Sequence, residues 1–271
     1  VGSEMCIRDR MIMIKNKQDC CGCFSCKEIC PSKCIDMQAD EEGFFYPSVN
    51  ANKCIECGLC TKVCPVLNQS PSQKPVKIHV IINPDPEIKE QSSSGGAFSL
   101  LAEKIINDNG IVFGARFDNQ WSVIHDYTSN IKDLYKFRSS KYVQSSINNT
   151  FSQTETILKN GKKVLFSGTP CQIAGLKKYL RKDYPQLYTV DFICHGVPSP
   201  LVWKSYLNET LAAYKITSDD IISINFRDKS LGWKKFSFTL QFNKNGQKKK
   251  ITEVFYRNYY IRGFLHDIYI R

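Results

Sequence analysis

Residues 20–31 read CCGCFSCKEICP and residues 54–65 read CIECGLCTKVCP. Each is a Cys-x2-Cys-x2-Cys-x3-Cys-Pro run: Cys20, Cys23, Cys26 and Cys30 before Pro31, then Cys54, Cys57, Cys60 and Cys64 before Pro65. Chance does not produce such a run twice. Three thiolates on one tight loop reach three irons of a cubane, and the fourth of each run crosses to the other cluster. The spacing therefore predicts two 4Fe-4S clusters. Cys20, Cys23, Cys26 and Cys64 hold one, and Cys54, Cys57, Cys60 and Cys30 hold the other. Zinc also accepts four thiolates, but its structural sites usually pair two Cys-x2-Cys knuckles, which fits these runs poorly. Such a unit moves single electrons and does not by itself identify donor or acceptor. Cys21 and Cys34 are given no role.

The chain around the runs is ordinary. It has 271 residues, 42% hydrophobic and 23% charged, the composition of a soluble globular protein of one large or two smaller domains. A chain this long buries a core without covalent staples. No signal peptide is visible, which reads as a cytoplasmic protein, so its 13 cysteines point to metal or redox chemistry rather than disulfides. No uncharged run reaches the ~18 residues of a membrane span. The formal charge is +11, a hint of acidic partners, but two thiolate-bound cubanes lower it to about +7. The densest basic run, Lys248-Lys249-Lys250, falls in a predicted hairpin strand and reads as a solvated edge. No nucleic-acid partner is expected.

The first ten residues, VGSEMCIRDR, resemble translated adaptor sequence and are set aside, with the natural start expected at Met11 or Met13. Residues 11–68 form the cluster domain, 69–75 a polar linker and 76–271 a second domain. There, strands are predicted over 76–82, 111–115, 164–167 and 188–194, with helices over 96–109, 151–158 and 173–180 between them. That alternation predicts a βαβ sheet, parallel at least in part. Further on, a strand covers 221–226, and 235–242 alternates strictly, with Phe236, Phe238, Leu240 and Phe242 on one face. Asn245-Gly246 is a hairpin turn, and 247–255 returns as an antiparallel addition to the sheet. A helix over 259–269 then runs almost to Arg271, which reads as a truncated C-terminus.

Three loops stand out. Ser92-Ser93-Ser94-Gly95-Gly96 joins a strand to a helix, and free amides there favour an anion. Gly168-Thr169-Pro170-Cys171-Gln172 follows a strand directly. Thr169 reads as helix cap, Pro170 as first helical residue and Gln172 as the return arm of a capping box. Cys171 then lies in the first helical turn, where amides favour a thiolate. Cys194-His195-Gly196-Val197-Pro198-Ser199-Pro200 also follows a strand. If the two strands are parallel neighbours, Cys171 and Cys194 share the sheet edge at which open α/β sheets bind ligands. Pro-Cys-Gln after a strand also marks the nucleophile of cytosine methyltransferases, but their glycine-rich cofactor loop and Glu-Asn-Val segment are missing.

Taken together, SSSGGAFSLLA at 92–102, SSKYVQS at 139–145, GTPCQIAGL at 168–176 and DFICHGVPSP at 191–200 resemble the coenzyme F420 hydrogenase/dehydrogenase beta-subunit family, in which an N-terminal ferredoxin fusion also occurs. The resemblance covers roughly residues 15–271. It implies an α+β or α/β chain: a two-cluster ferredoxin domain followed by a mixed-sheet flavin domain. It implies an iron–sulfur flavoprotein oxidoreductase passing electrons between two 4Fe-4S clusters and FAD, with hydride delivered to an unidentified small-molecule acceptor. A redox protein, such as a ferredoxin or a reductase or hydrogenase subunit, would be the partner. The alternative is a non-catalytic electron-transfer subunit. F420 itself is not implied. Flavin binding would fall to Ser94, Gly95, Gly96, Lys141, Thr169, Pro170, Cys171 and Gln172, and no catalytic residue is assigned. Family members commonly continue into a Cys-x2-Cys segment, so Cys171 and Cys194 are expected to be two ligands of a third iron–sulfur site completed beyond Arg271.

Overall fold

Val164, Leu165 and Phe166 are apolar without alternation, as a strand covered on both faces requires, and all three are buried at the centre of the main sheet. The structure is a computed structural model describing residues 11–71 and 74–270. The leader-like residues 1–10, residues 72–73 of the expected linker and Arg271 lie outside the described residues.

Near the N-terminus, α1 (Ser25–Ile29) and α2 (Leu59–Lys62) each begin inside a cysteine run. Between them, β1 (Ile35–Ala39) and β2 (Phe45–Val49) pair antiparallel, with Ile35 opposite Val49 and Ala39 opposite Phe45. Then come α3 (Pro86–Gln91) and α4 (Ala97–Asn107), followed by β3 (Ile111–Phe117) and β4 (Val123–Thr128). After α5 (Thr150–Lys159), β5 (Val164–Gly168) leads into α6 (Pro170–Leu180), and β6 (Leu187–Asp191) into α7 (Pro200–Tyr214). The main sheet has the order β4-β3-β5-β6. β3, β5 and β6 run parallel and β4 antiparallel, so the protein is a mixed α/β fold with a mixed sheet.

Two expectations are corrected. The 76–82 stretch is not a strand: Val76, Ile78 and Val80 are 93%, 87% and 92% exposed. Alternation suits a strand, but a strand exists only where a neighbour takes its N–H and C=O groups, and no described strand pairs with it. The C-terminal strands β7 (Ile221–Asp228), β8 (Ser237–Lys244) and β9 (Gln247–Val254) do not extend the main sheet; they form their own antiparallel sheet. Phe238, Leu240 and Phe242 of β8 bury against Trp203 and Tyr206 of α7 and Tyr260 of α8 (Tyr259–Leu265). Alternation shows that one face is buried, not which edge pairs. The hairpin turn itself has both Asn245 and Gly246 left-handed, at φ 54° and 75°, as a type I′ turn requires. α8 is shorter than expected, because Asp267 turns left-handed at φ 57°.

The N-terminal unit is packed onto the rest. Phe24 is buried in the core formed by Phe113, Phe151, Phe166 and Leu176. No helix among the described residues is long and apolar enough to cross a membrane.

Candidate functional site

The two cysteine runs adopt the same backbone. The third residue of each, Gly22 and Glu56, is left-handed at φ 59° and 52°, and so is the fifth, Phe24 and Gly58, at 66° and 67°. A left-handed conformation costs a non-glycine residue ~1–2 kcal/mol, so Glu56 and Phe24 hold it only because the loop demands it. These turns direct the first three thiols of each run to one side, and a one-turn helix carries the chain to the fourth.

Two cavities result, of about 300 and 310 Å³ counting space open to solvent. The walls of one include Cys20, Cys23, Cys26 and Cys64. The walls of the other include Cys54, Cys57, Cys60 and Cys30, with Cys34 beside them. The fourth cysteine of each run thus stands at the other run's cavity. The Cys30 and Cys34 sulfurs are 3.4 Å apart. Burial pushes the thiols of Cys26, Cys60 and Cys64 up, so thiolates there need a cationic centre. Among the described residues no three or more His, Cys, Asp or Glu side chains close on a point to hold a single metal ion. Thiols spread round a cavity suit a multi-iron cluster. The cavities differ in exposure: Cys20, Cys23, Cys26 and Cys64 are buried, whereas Cys57 is exposed and Cys30 and Cys54 half-buried.

The buried cavity abuts the second domain through α6. A Cβ at Gly175 would stand 2.5 Å from Ser25 Oγ and 3.2 Å from Cys23 Sγ. One turn earlier, Cys171 faces the same loop: the Cys171 and Cys23 thiols, with burial, push the Cys21 thiol up. Cys171 Sγ also lies 3.0 Å from Thr169 Oγ1. The neighbouring Cys21 thiol, opposed by burial and assisted by Thr169, draws the Cys171 thiol down to about 6.

The α6 start is locked by a buried network. Thr169 N–H donates to Gln172 Oε1 at 3.0 Å, and Gln172 Nε2 donates to Ser145 Oγ at 2.9 Å. Ser145 Oγ lies 3.0 Å from His125 Nδ1, and His125 Nε2 lies 3.0 Å from Ser167 O. A carbonyl only accepts, so His125 carries its proton on Nε2, and Nδ1 accepts from Ser145. Burial, opposed by the Ser167 carbonyl and reinforced by the Lys141 charge, lowers His125 from 6.5 to about 4. Between these values the unfolded chain binds a proton that the fold refuses. Stability is therefore full above pH 6.5 and falls toward pH 4, by ~3 kcal/mol. Denaturant titrations of iron-loaded wild type and His125→Asn at several pH values should show a shallower acid loss in the variant. Equal slopes would remove His125 from this role.

Lys141 Nζ donates to Arg138 O at 2.8 Å and Ser139 O at 3.3 Å, and burial brings it down to about 7. The same loop meets the Ser-Gly-Gly turn, where Ser140 N–H donates to Ser93 Oγ at 2.7 Å. Gly95 and Gly96 stand just before α4, which leads into β3. Their missing Cβ atoms are accounted for by the chain itself. A Cβ on Gly95 would be 2.5 Å from Ile81 O, and one on Gly96 2.8 Å from Asn83 Cβ. Ser94 is exposed. Pro170 opens α6. β5 and β6 are parallel neighbours, so Cys171 and Cys194 follow strands ending on one edge. Cys194 is exposed, with Sγ 3.8 Å from Gly196 O. His195 Nε2 pairs with Asp267 Oδ1 at 2.9 Å. Sequence reasoning missed His125; a histidine alternating inward on a strand is the one signal that pointed to it.

Residues 19–68 match the 4Fe-4S dicluster domain, and residues 161–262 match the C terminus of the coenzyme F420 hydrogenase/dehydrogenase beta subunit. An uncharacterized protein of Methanocaldococcus jannaschii is 26% identical over 60% of this chain and 53% of its own length. The coenzyme F420-dependent sulfite reductase of the same organism is 25% identical over 74% of this chain and 32% of its own. NADH-quinone oxidoreductase subunit I 2 of Geobacter metallireducens is 38% identical over 19% of this chain and 43% of its own. The chain thus spans about half and a third of the first two relatives. A chain of the F420-reducing [NiFe] hydrogenase complex from Methanosarcina barkeri aligns with TM-score 0.43 and 17% identity, over 70% of this chain and 61% of that one. The chain therefore carries a match to a 4Fe-4S dicluster domain ahead of a match to the C terminus of the coenzyme F420 hydrogenase/dehydrogenase beta subunit.

Proposed function

We propose that the chain is the electron-transfer subunit of an oxidoreductase and that its second domain binds a flavin. One observation carries this reading: the buried thiol cavity is packed against the first turns of α6, beside the Thr169–Gln172 turn. Cys20, Cys23, Cys26 and Cys64 would hold one cubane at this junction. Cys54, Cys57, Cys60 and Cys30 would hold the other at the solvent face, where the exposed Ile55 and Cys57 offer a surface to a redox partner. When bound, the cubanes supply single-electron transfer and the flavin hydride chemistry. The chain's own contribution is positional. The His125–Ser145–Gln172 network fixes the α6 start, and Lys141 presents a cation of lowered pKa to the same region. Cys171 and Cys194, on one sheet edge, remain the proposed pair for a further iron–sulfur site.

A second reading, an electron carrier without flavin, is favoured by the Gly95–Gly96 turn, whose free space the Ile81 backbone and the Asn83 side chain fill. Cofactor extraction from anaerobically purified protein decides between them. The first reading expects about eight irons and about one flavin per chain; iron without flavin supports the carrier. Stoichiometric zinc without iron would overturn both.

A further inference from the structure

The more exposed cavity has a fifth thiol in its wall. Cys34, left without a role by the spacing of the runs, is buried and lines this cavity beside Cys30, Cys54, Cys57 and Cys60, as does Ser32. Both close on one sulfur: the Ser32 hydroxyl lies 3.5 Å and the Cys34 thiol 3.4 Å from Cys30 Sγ. The backbone sets this up. Lys33 N–H donates to Cys30 O at 3.2 Å, closing a tight turn, and Lys33 holds a left-handed φ of 49°, which a residue with a side chain seldom adopts. That turn folds residues 32 and 34 back onto residue 30. Cys34 O in turn accepts from Asn50 N–H at 2.8 Å, which ties Cys34 to the residue after β2.

A sulfur bound to iron is a thiolate with no proton to give, so at Cys30 it can only accept. Ser32 Oγ–H and Cys34 Sγ–H are then the donors. Hydrogen bonds to ligand sulfurs are among the features that set a cluster's potential. Reduction adds negative charge to the thiolates, and a donor binds the more negative acceptor more strongly. We propose that Ser32 and Cys34 are tuning residues that raise the reduction potential of the exposed cluster by donating together to the Cys30 sulfur, without binding iron themselves. The step they bias is a one-electron reduction. An external one-electron donor loses the electron and the cluster gains it, while neither side chain gives up its proton or breaks a bond. Cys30 serves the exposed cluster here, as in the proposed function, on which this tuning rests.

The full chain, purified anaerobically with its iron, is titrated with dithionite in the presence of redox mediators and followed by electron paramagnetic resonance. Wild type is compared with Ser32→Ala, Cys34→Ala and the double variant. Iron should stay at about eight per chain in all four. The double variant should lower the reduced-to-oxidised ratio of the exposed cluster about tenfold at a fixed ambient potential, a downward shift of about 59 mV for one electron. Each single variant should fall between. The buried cluster serves as the reference and should not move. Ser32→Thr keeps the hydroxyl and should keep the wild-type potential. The proposal is overturned if Ser32→Thr shifts as far as Ser32→Ala, or if Cys34→Ala loses iron, which would make Cys34 a ligand. About eight irons in wild type with unmoved potentials in the variants defeats the tuning alone. Wild type without iron defeats it together with the functional reading.

Discussion

Cys30→Ser is expected to empty the cavity ringed by Cys54, Cys57 and Cys60, far along the sequence, and to spare the one ringed by its own neighbours Cys20, Cys23 and Cys26. Iron should fall from about eight to about four per chain. The ground is geometric: the Cys30 sulfur stands in the wall of the other run's cavity, 3.4 Å from Cys34. A serine oxygen is a poor replacement for a thiolate toward iron. Cys64→Ser should do the reverse. Electron paramagnetic resonance of dithionite-reduced samples, with iron counts, distinguishes the two sites through their unequal solvent exposure. Loss of the buried cluster in Cys30→Ser would mean that each run serves its own cavity.

The second large effect is expected at Gly175. Glycine inside a helix is ordinarily a weakness, and Gly→Ala there gains ~1 kcal/mol. Here the added methyl would lie 2.5 Å from the fully buried Ser25 Oγ and 3.2 Å from Cys23 Sγ and Cys23 Cβ. The Cys23–Ser25 hydrogen bond at 3.4 Å leaves the hydroxyl little room to yield. Overpacking of this kind costs ~1–3 kcal/mol. We expect Gly175→Ala to be net destabilising by ~1–2 kcal/mol, with the spectrum of the buried cluster altered and that of the exposed one unchanged. Thermal melts and low-temperature spectra under argon check both. A stabilised variant with an unchanged spectrum would show that α6 does not press on the cluster loop.

What the sequence reveals follows from how local each signal is. The dicluster domain is legible because its ligand chemistry is written as spacing. The β5–α6 corner is legible because Gly168 to Gln172 states strand end, cap, first helical residue and capping arm in order. The Asn245-Gly246 turn is legible because few residues tolerate two left-handed positions. The 76–82 stretch has the composition of a strand and lacks a partner, which composition cannot show. The separate β7–β9 sheet escapes for the same reason, since alternation reports burial of a face and not the choice of edge. The His125 network escapes because its members, at 125, 145, 167 and 172, meet only once β4, β5 and α6 are assembled.

Phe24 carries a consequence for the life of the protein. It stands between Cys23 and Ser25, yet its ring belongs to the core of Phe151, Phe166 and Leu176. A seated cluster fixes the loop and, with it, that ring. When iron is scarce the loop is unpinned, and withdrawing a phenylalanine from a core costs ~3–5 kcal/mol, much of a typical domain's margin. Binding of the inorganic cofactor is thereby linked to the folding of a distant sheet. Chains without iron would not accumulate as idle, folded apoprotein but would be exposed to proteolysis along their whole length, so the supply of iron and sulfide sets the abundance of the second domain as well as the first.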